Sequence, residues 1–351
     1  MTQLFKPGFA VALLAALFLA ACSAAPPKEV TRFLWPPPPD TPRLEFLKNY
    51  YTADDLPKTD AQKAMETVVG KPPLRYFERP FGIASDGKGK VYISDPLRRN
   101  VSIFDFVQNK SSDLLSNVGL LEGPFGLAVD SAGRLFVADN LKQKVVVFSP
   151  AGEPLFVFGD EKLFDKPTNL AINERLGRIY VSDSVGNRVV VFDLNGNYLF
   201  SFGKTGTGEG ELYGAMGIAI ARDNTVYVAE QLNTRISAFD ADGKFLRYFG
   251  KRGSLEVNFE GPRGVAIDSD GNLHIVDVRK GALIIYRPDG KLLLYVGGKP
   301  SAKELNFRFP TSIWIDGDDR VYIADGLNKR FGIWQYISEA ALADGRFGVK
   351  Q

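Results

Sequence analysis

Six short runs of the chain end in an acid. They read "VYISD", "LFVAD", "IYVSD", "VYVAE", "LHIVD" and "VYIAD", and close on Asp95, Asp139, Asp183, Glu230, Asp277 and Asp325. Carboxylates that recur in this way have two chemical uses. They can converge on a metal or a substrate proton, or each can accept hydrogen bonds from backbone N–H groups of its own turn. The second use is preferred, because every unit needs the same turn. Five positions after the acids stand Asn100, Lys144, Arg188, Arg235, Ala282 and Arg330. Being mostly cationic, they suit pairing with the acids or tying neighbouring units together.

Other reactive chemistry is thinly supplied. The chain of 351 residues is 45% hydrophobic, enough for a sizeable core. Its formal net charge is +2 and its charges are spread evenly, which argues against a nucleic-acid surface. It has one cysteine, Cys22, and one histidine, His274. A single thiol excludes an internal disulfide, and a single imidazole serves metal chemistry poorly. His274 falls inside a predicted strand, where a packed or surface role is expected. The sequence contains no Ser-His-Asp set, no phosphate loop and no haem-binding cysteine pair.

The acids belong to a repeat. From residue 80 the chain aligns with itself as six units about 43–48 residues apart. Each opens with a Pro-x-Gly-like turn and a short apolar strand: "PFGIAS" at 80, "PFGLAV" at 124, "PTNLAI" at 167, "AMGIAI" at 215, "PRGVAI" at 262 and "PTSIWI" at 310. The strand ending in the acid comes next, then a polar loop and a third strand such as "VVVFDL". In units two to five a fourth strand ends in Phe-Gly or Val-Gly, and unit one keeps a degenerate version, "SDLLSNVG". Short β-branched and aromatic runs between turn residues are strands. Four antiparallel strands make a small sheet that cannot bury both faces alone. Packed radially, each sheet covers its neighbour and the array closes. The glycine of the turn permits close backbone approach near the axis. The predicted fold class is therefore all-β, a six-bladed β-propeller of four-stranded antiparallel blades.

These units resemble the NHL repeat family of six-bladed β-propellers over about residues 80–338. The amino terminus adds a second resemblance. Residues 1–22 carry Lys6 and an apolar run of about 14 residues, too short to span a bilayer but suited to a signal peptide. The run ends in Leu19-Ala20-Ala21-Cys22, which is similar to the lipobox of bacterial lipoproteins. The resemblance implies removal of residues 1–21 and a covalent lipid on Cys22, with no other cofactor. Ser23 after the cysteine implies the outer membrane in diderm bacteria. Prolines at 26, 27, 36–39 and 42 make residues 22–42 a semi-rigid tether. The sixth unit lacks a good fourth strand, so a segment within 43–79 is expected to close the ring. "RLEFLKNY" (43–50) is the first choice and "LRYFE" (74–78) the alternative. A short helix is predicted within 53–70 with Asp60 as N-cap. Residues 339–351 form a tail.

In a propeller the opening turns and the loops after the second strands share one face. That face takes Phe81, Phe125, Met216 and Arg263 from the turns. The loops add Leu97, Arg98, Arg99, Leu141, Lys142, Leu232, Arg279, Lys280, Leu327 and Lys329. Exposed aromatics among cations suit a protein surface or an anionic glycan. The other use of these residues is an axis plugged by leucines and phenylalanines, with the cations as ordinary loop residues. Propellers of the lactonase group hold a divalent metal on the axis, and the amidating lyases use zinc and histidines. Of the axial positions here (Phe81, Phe125, Thr168-Asn169, Met216, Arg263 and Thr311-Ser312), Asn169 is the one credible oxygen ligand. The expectation is a membrane-anchored envelope lipoprotein whose propeller binds an envelope protein or glycan, with no metal and no nucleic acid. Its body would be periplasmic or surface-exposed. The alternative is a metal-dependent, lactonase-like or lyase-type enzyme.

Overall fold

The computed structural model describes residues 32–345, apart from 72, 73, 75, 115–118 and 299. The chain divides into Met1–Arg32 and Phe33–Gln351, and all described strands and helices belong to the second unit. Cys22 and the signal segment lie outside the described residues. No described helix is long and apolar enough to cross a membrane.

Six antiparallel sheets follow one another along the chain, the blades of a six-bladed β-propeller. Blade three shows the plan. Its strands Pro167–Asn173, Arg178–Asp183, Arg188–Asp193 and Tyr198–Phe202 run in order from the axis outward. Blades two, four and five repeat it. In blade one the fourth strand is Lys110–Asp113. It lies earlier than the "SDLLSNVG" segment suggested, and residues 115–118 of that segment fall outside the described residues.

The core is divided among the blades. Six apolar clusters lie at the contacts of successive blades, such as Phe158, Phe164, Ile179, Val181 and Phe192 between blades two and three. The alternation of each strand supplies one side chain to each face, so a blade is stable only between two others. The turn glycines work by close approach. A Cβ on Gly82 would lie 2.0 Å from the Phe125 carbonyl oxygen, and one on Gly126 would lie 2.4 Å from the Asn169 Cα. Each inner strand therefore abuts the backbone of the next. The pairing slips at the top of the inner strand after Pro124, Pro167, Ala215, Pro262 and Pro310, a bulge repeated in five blades.

Blade six is completed from the amino end of the described chain. Its strands Pro310–Ile315, Arg320–Asp325 and Arg330–Tyr336 are followed outward by Leu44–Tyr50 and then by Phe33–Trp35. The stretch expected as a tether over 22–42 is therefore, from Phe33 on, part of the blade, held by strand pairing and by Trp35 on Trp334. Leu44 lies opposite Tyr336 and Tyr50 opposite Phe331. Trp334 packs between Trp35 and Phe46, with ring centroids at 5.3 and 4.9 Å. The alternative segment at 74–78 instead leads into blade one, with Phe77 buried in the core between blades six and one. The helix is Asp60–Val69, and its N-cap is Thr59 rather than Asp60. Thr59 and Gln62 form a reciprocal capping box, which leaves Asp60 as the first helical residue, where its charge favours the helix dipole.

Candidate functional site

All six acids are taken up by hydrogen bonds within the fold, the five aspartates chiefly by backbone N–H groups. Asp139 accepts N–H bonds from Glu122 (2.7 Å), Gly123 (3.0 Å), Leu141 (3.1 Å) and Lys142 (2.9 Å). Asp183 accepts from Asp165, Lys166 and Gly186, and Asp277 from Glu260, Gly261, Arg279 and Lys280. Asp95 and Asp325 repeat the pattern with Glu78, Arg79 and Arg98, and with Arg308 and Phe309. Glu230 is one methylene longer and takes Tyr213 N–H, Asn233, Arg235 and Ser237. Each acid thus pins the segment arriving from the previous blade to the loop after its own second strand. Three of the residues five positions on are paired: Arg188 with Asp183 at 3.2 Å, Arg235 with Glu230 at 2.7 Å and Arg330 with Asp325 at 3.5 Å.

Those pinned loops form one face of the ring. Two residues after each acid stand Leu97, Leu141, Val185, Leu232, Arg279 and Leu327. The five aliphatic ones are 44–62% exposed, and Arg279 is exposed as well. Val185 went unnoticed in the sequence, although counting two residues on from Asp183 finds it. The cations differ in freedom. Arg98 is tied to Asp113 at 3.1 Å, Lys142 to the Gly119 carbonyl and Glu122, and Lys280 is buried against the Ser254 and Leu255 carbonyls. Lys329 is exposed, at a left-handed backbone position with φ of 52°.

At the axis the picture differs from an open aromatic face. Phe81 and Met216 are only 7% and 8% exposed, and Phe125 is half-buried. Inner strands converge here, so side chains from different blades meet each other before they meet water. Phe81 and Phe125 lie with ring centroids 4.1 Å apart. The Arg263 guanidinium lies over Phe81 at 4.7 Å and over Phe309 at 5.3 Å. Burial, with Arg79 beside it, pulls Arg263 down to about 10. Sequence reasoning missed Phe309, which precedes the opening turn of blade six.

Below this mouth runs an axial channel with a cavity of about 180 Å³. Ile83, Leu127, Leu170, Ile218, Val265 and Ile313 from the six inner strands line it, together with Asn169, Ser312 and Trp314, and polar atoms make up about as much of its surface as apolar ones. Trp314 packs against the clusters between blades six and one, one and two, and two and three, so its indole reaches across the axis. Asn169 also lines the channel, and its Oδ1 accepts the Leu170 N–H at 2.8 Å. No group of three or more His, Cys, Asp or Glu placed to hold a metal occurs among the described residues.

His274 lies elsewhere, on the second strand of blade five. It is fully buried, its Nε2 is 2.8 Å from Asp268 Oδ2, and its ring meets Tyr336 edge-on at 5.3 Å. Asn272 donates to Asp268 and to the Tyr336 hydroxyl, and Tyr336 donates to Asp270. The cluster joins blade five to the third strand of blade six, near the end of the ring opposite the loop face.

A family described as "6-bladed beta-propeller" matches residues 158–247. No curated protein matches the sequence. Among solved structures, a streptogramin B lyase is similar with a TM-score of 0.57 at 17% identity, over 74% of this chain and 94% of that one. A gluconolactonase from Xanthomonas campestris gives 0.59 at 18%, over 74% and 86%. A protein of unknown function from Bacteroides thetaiotaomicron gives 0.64 at 20%, over 84% and 75%. At such identities the likeness is one of fold.

Proposed function

We propose that this chain is an NHL-type propeller lipoprotein, acylated at Cys22 and held on the envelope membrane by its Pro-rich tether. Its loop face receives a protein partner. The observation that carries this reading is the ring of exposed aliphatic side chains at Leu97, Leu141, Val185, Leu232 and Leu327. One exposed leucine is ordinary, whereas the same loop position left apolar in five blades is a patterned surface. Flanked by Arg279 and Lys329, it has the makeup of a protein interface, with apolar contacts and a polar rim.

A photo-crosslinker at Leu141 or Leu232 tests the face, with Asn195 on the opposite face as control. A discrete protein adduct from the first two sites alone is expected. Equal labelling from both faces would remove the reading. The anchor has its own test. Cys22→Ser is expected to move the protein from the membrane fraction to the soluble one, and retention on the membrane would exclude acylation at Cys22 as the anchor.

The enzyme reading has the fold shared with the lyase and the gluconolactonase in its favour. Stoichiometric calcium or zinc in the purified protein would favour it over the scaffold reading.

A further inference from the structure

We infer that the axial mouth is a binding site for an organic anion, a carboxylate carried on a ring-shaped or apolar stem. The inference rests on reading the loop face as the binding face, and it assigns a ligand chemistry to the centre of that face.

The argument starts from Arg263. Its Nε is buried and has no hydrogen-bond partner. Among the described residues its guanidinium makes no ion pair, only the ring contacts with Phe81 and Phe309. The neighbouring charge that acts on it is a second cation, Arg79, whose guanidinium lies over the same Phe309 ring at 5.6 Å. The chain satisfies Arg235 and Arg330, the fully buried arginines among the described residues, within the fold. Arg235 holds Glu230 and the carbonyls of Thr207, Gly208 and Glu211. Arg330 holds Asp325, Tyr51 and the carbonyls of Lys303 and Asn306. Arg263 is the exception, and it stands where six blades meet.

A desolvated cation without a counter-ion is costly, and ring faces offset that only in part. The missing component is an anion. A guanidinium presents a planar fork of donors that matches a carboxylate in two parallel bonds. Beside the fork, the tilted pair Phe81 and Phe125 offers an apolar wall on which a ring or hydrocarbon stem can lie. Arg263 keeps partial exposure and Arg79 is exposed, so the site is open to a ligand from solvent.

The test titrates the purified full chain with benzoate, glucuronate, acetate and inorganic phosphate, read by calorimetry and by thermal shift. Benzoate or glucuronate is expected to bind saturably, about tenfold more tightly than acetate, because a stem on the phenyl wall is worth of order one such factor. Arg263→Met is expected to abolish that binding while raising the ligand-free melting temperature, since an apolar side chain no longer buries an unpaired charge. Arg79→Gln, at an exposed position that leaves folding intact, is expected to weaken binding about tenfold, and it serves if Arg263→Met fails to fold. Binding unchanged in these variants, or no saturable binding to the folded wild type, would overturn the inference. Binding of phosphate alone would overturn the assignment to carboxylates. An adduct at Leu141 with no anion bound sinks this inference and leaves the protein-binding face standing. Anion binding with no adduct does the reverse.

Discussion

At the scale of single residues, the same chemical types do opposite jobs according to what surrounds them. Asp183 is fully buried, yet it is held by three backbone N–H groups and Arg188. Asp183→Ala leaves those donors unpaired and is expected to cost about 1–3 kcal/mol, read by chemical denaturation. A midpoint equal to wild type would show the pin to be dispensable. Asp319 is the contrasting case. Burial, with Asp268 and Asp270 nearby, raises its carboxyl above the ordinary value despite the bonds it accepts from Ser269. The folded form therefore holds its proton more tightly than the unfolded form. The contribution of Asp319 is fully present below the ordinary value of about 3.9 and declines as pH rises toward the raised one. Asp319→Asn is expected to flatten that part of the stability–pH curve, and an unchanged slope would contradict it. Trp314 reaches across the axis and is partly buried, and Trp314→Ala is expected to lower the denaturation midpoint by the contacts it loses; an unchanged midpoint would contradict that.

At the scale of elements, what was legible depended on repetition. The inner strands, acid-tipped second strands and loop positions recur six times, so a pattern weak in one unit is strong in the set. Outside the repeat pattern the reading was uneven: the closing strand within 43–50 was legible, and two other details were not. Asp60 looked like a cap, but the Thr59–Gln62 box, two donors satisfied reciprocally, takes the position. The fourth strand of blade one has the polar sequence "KSSD", with little apolar pattern to betray it. The strand Leu44–Tyr50 does in blade six what the fourth strand does in the other blades, covering the outer edge of Arg330–Tyr336, but it comes from the opposite end of the repeat array. Deleting residues 33–50 is expected to bare that edge and produce self-association on gel filtration. A monomeric, stable deletion variant would show that the edge needs no cover.

At the scale of the whole molecule, the site is a property of the ring and not of any blade. Arg263 comes from blade five, Phe309 leads into blade six and Phe81 opens blade one. Nothing local marks Arg263 as unpaired, because the partners that fail to arrive would have come from three different units. The aliphatic ring is likewise distributed. Leu141→Asp with Leu232→Asp is expected to abolish the face-specific adduct while leaving stability within about 0.5 kcal/mol, as for exposed positions. A large loss of stability would mean these side chains serve the fold instead. The pairing of Leu44 with Tyr336 has a consequence in time. The ribosome releases Leu44–Tyr50 first, and its partner Arg330–Tyr336 emerges only after five complete blades. Until then Leu44–Tyr50 has only Phe33–Trp35 to pair with and its other edge stays open, and contacts so distant in sequence form slowly. The nascent chain therefore carries one open strand edge through almost its whole synthesis, and closure of the ring waits for Arg330–Tyr336.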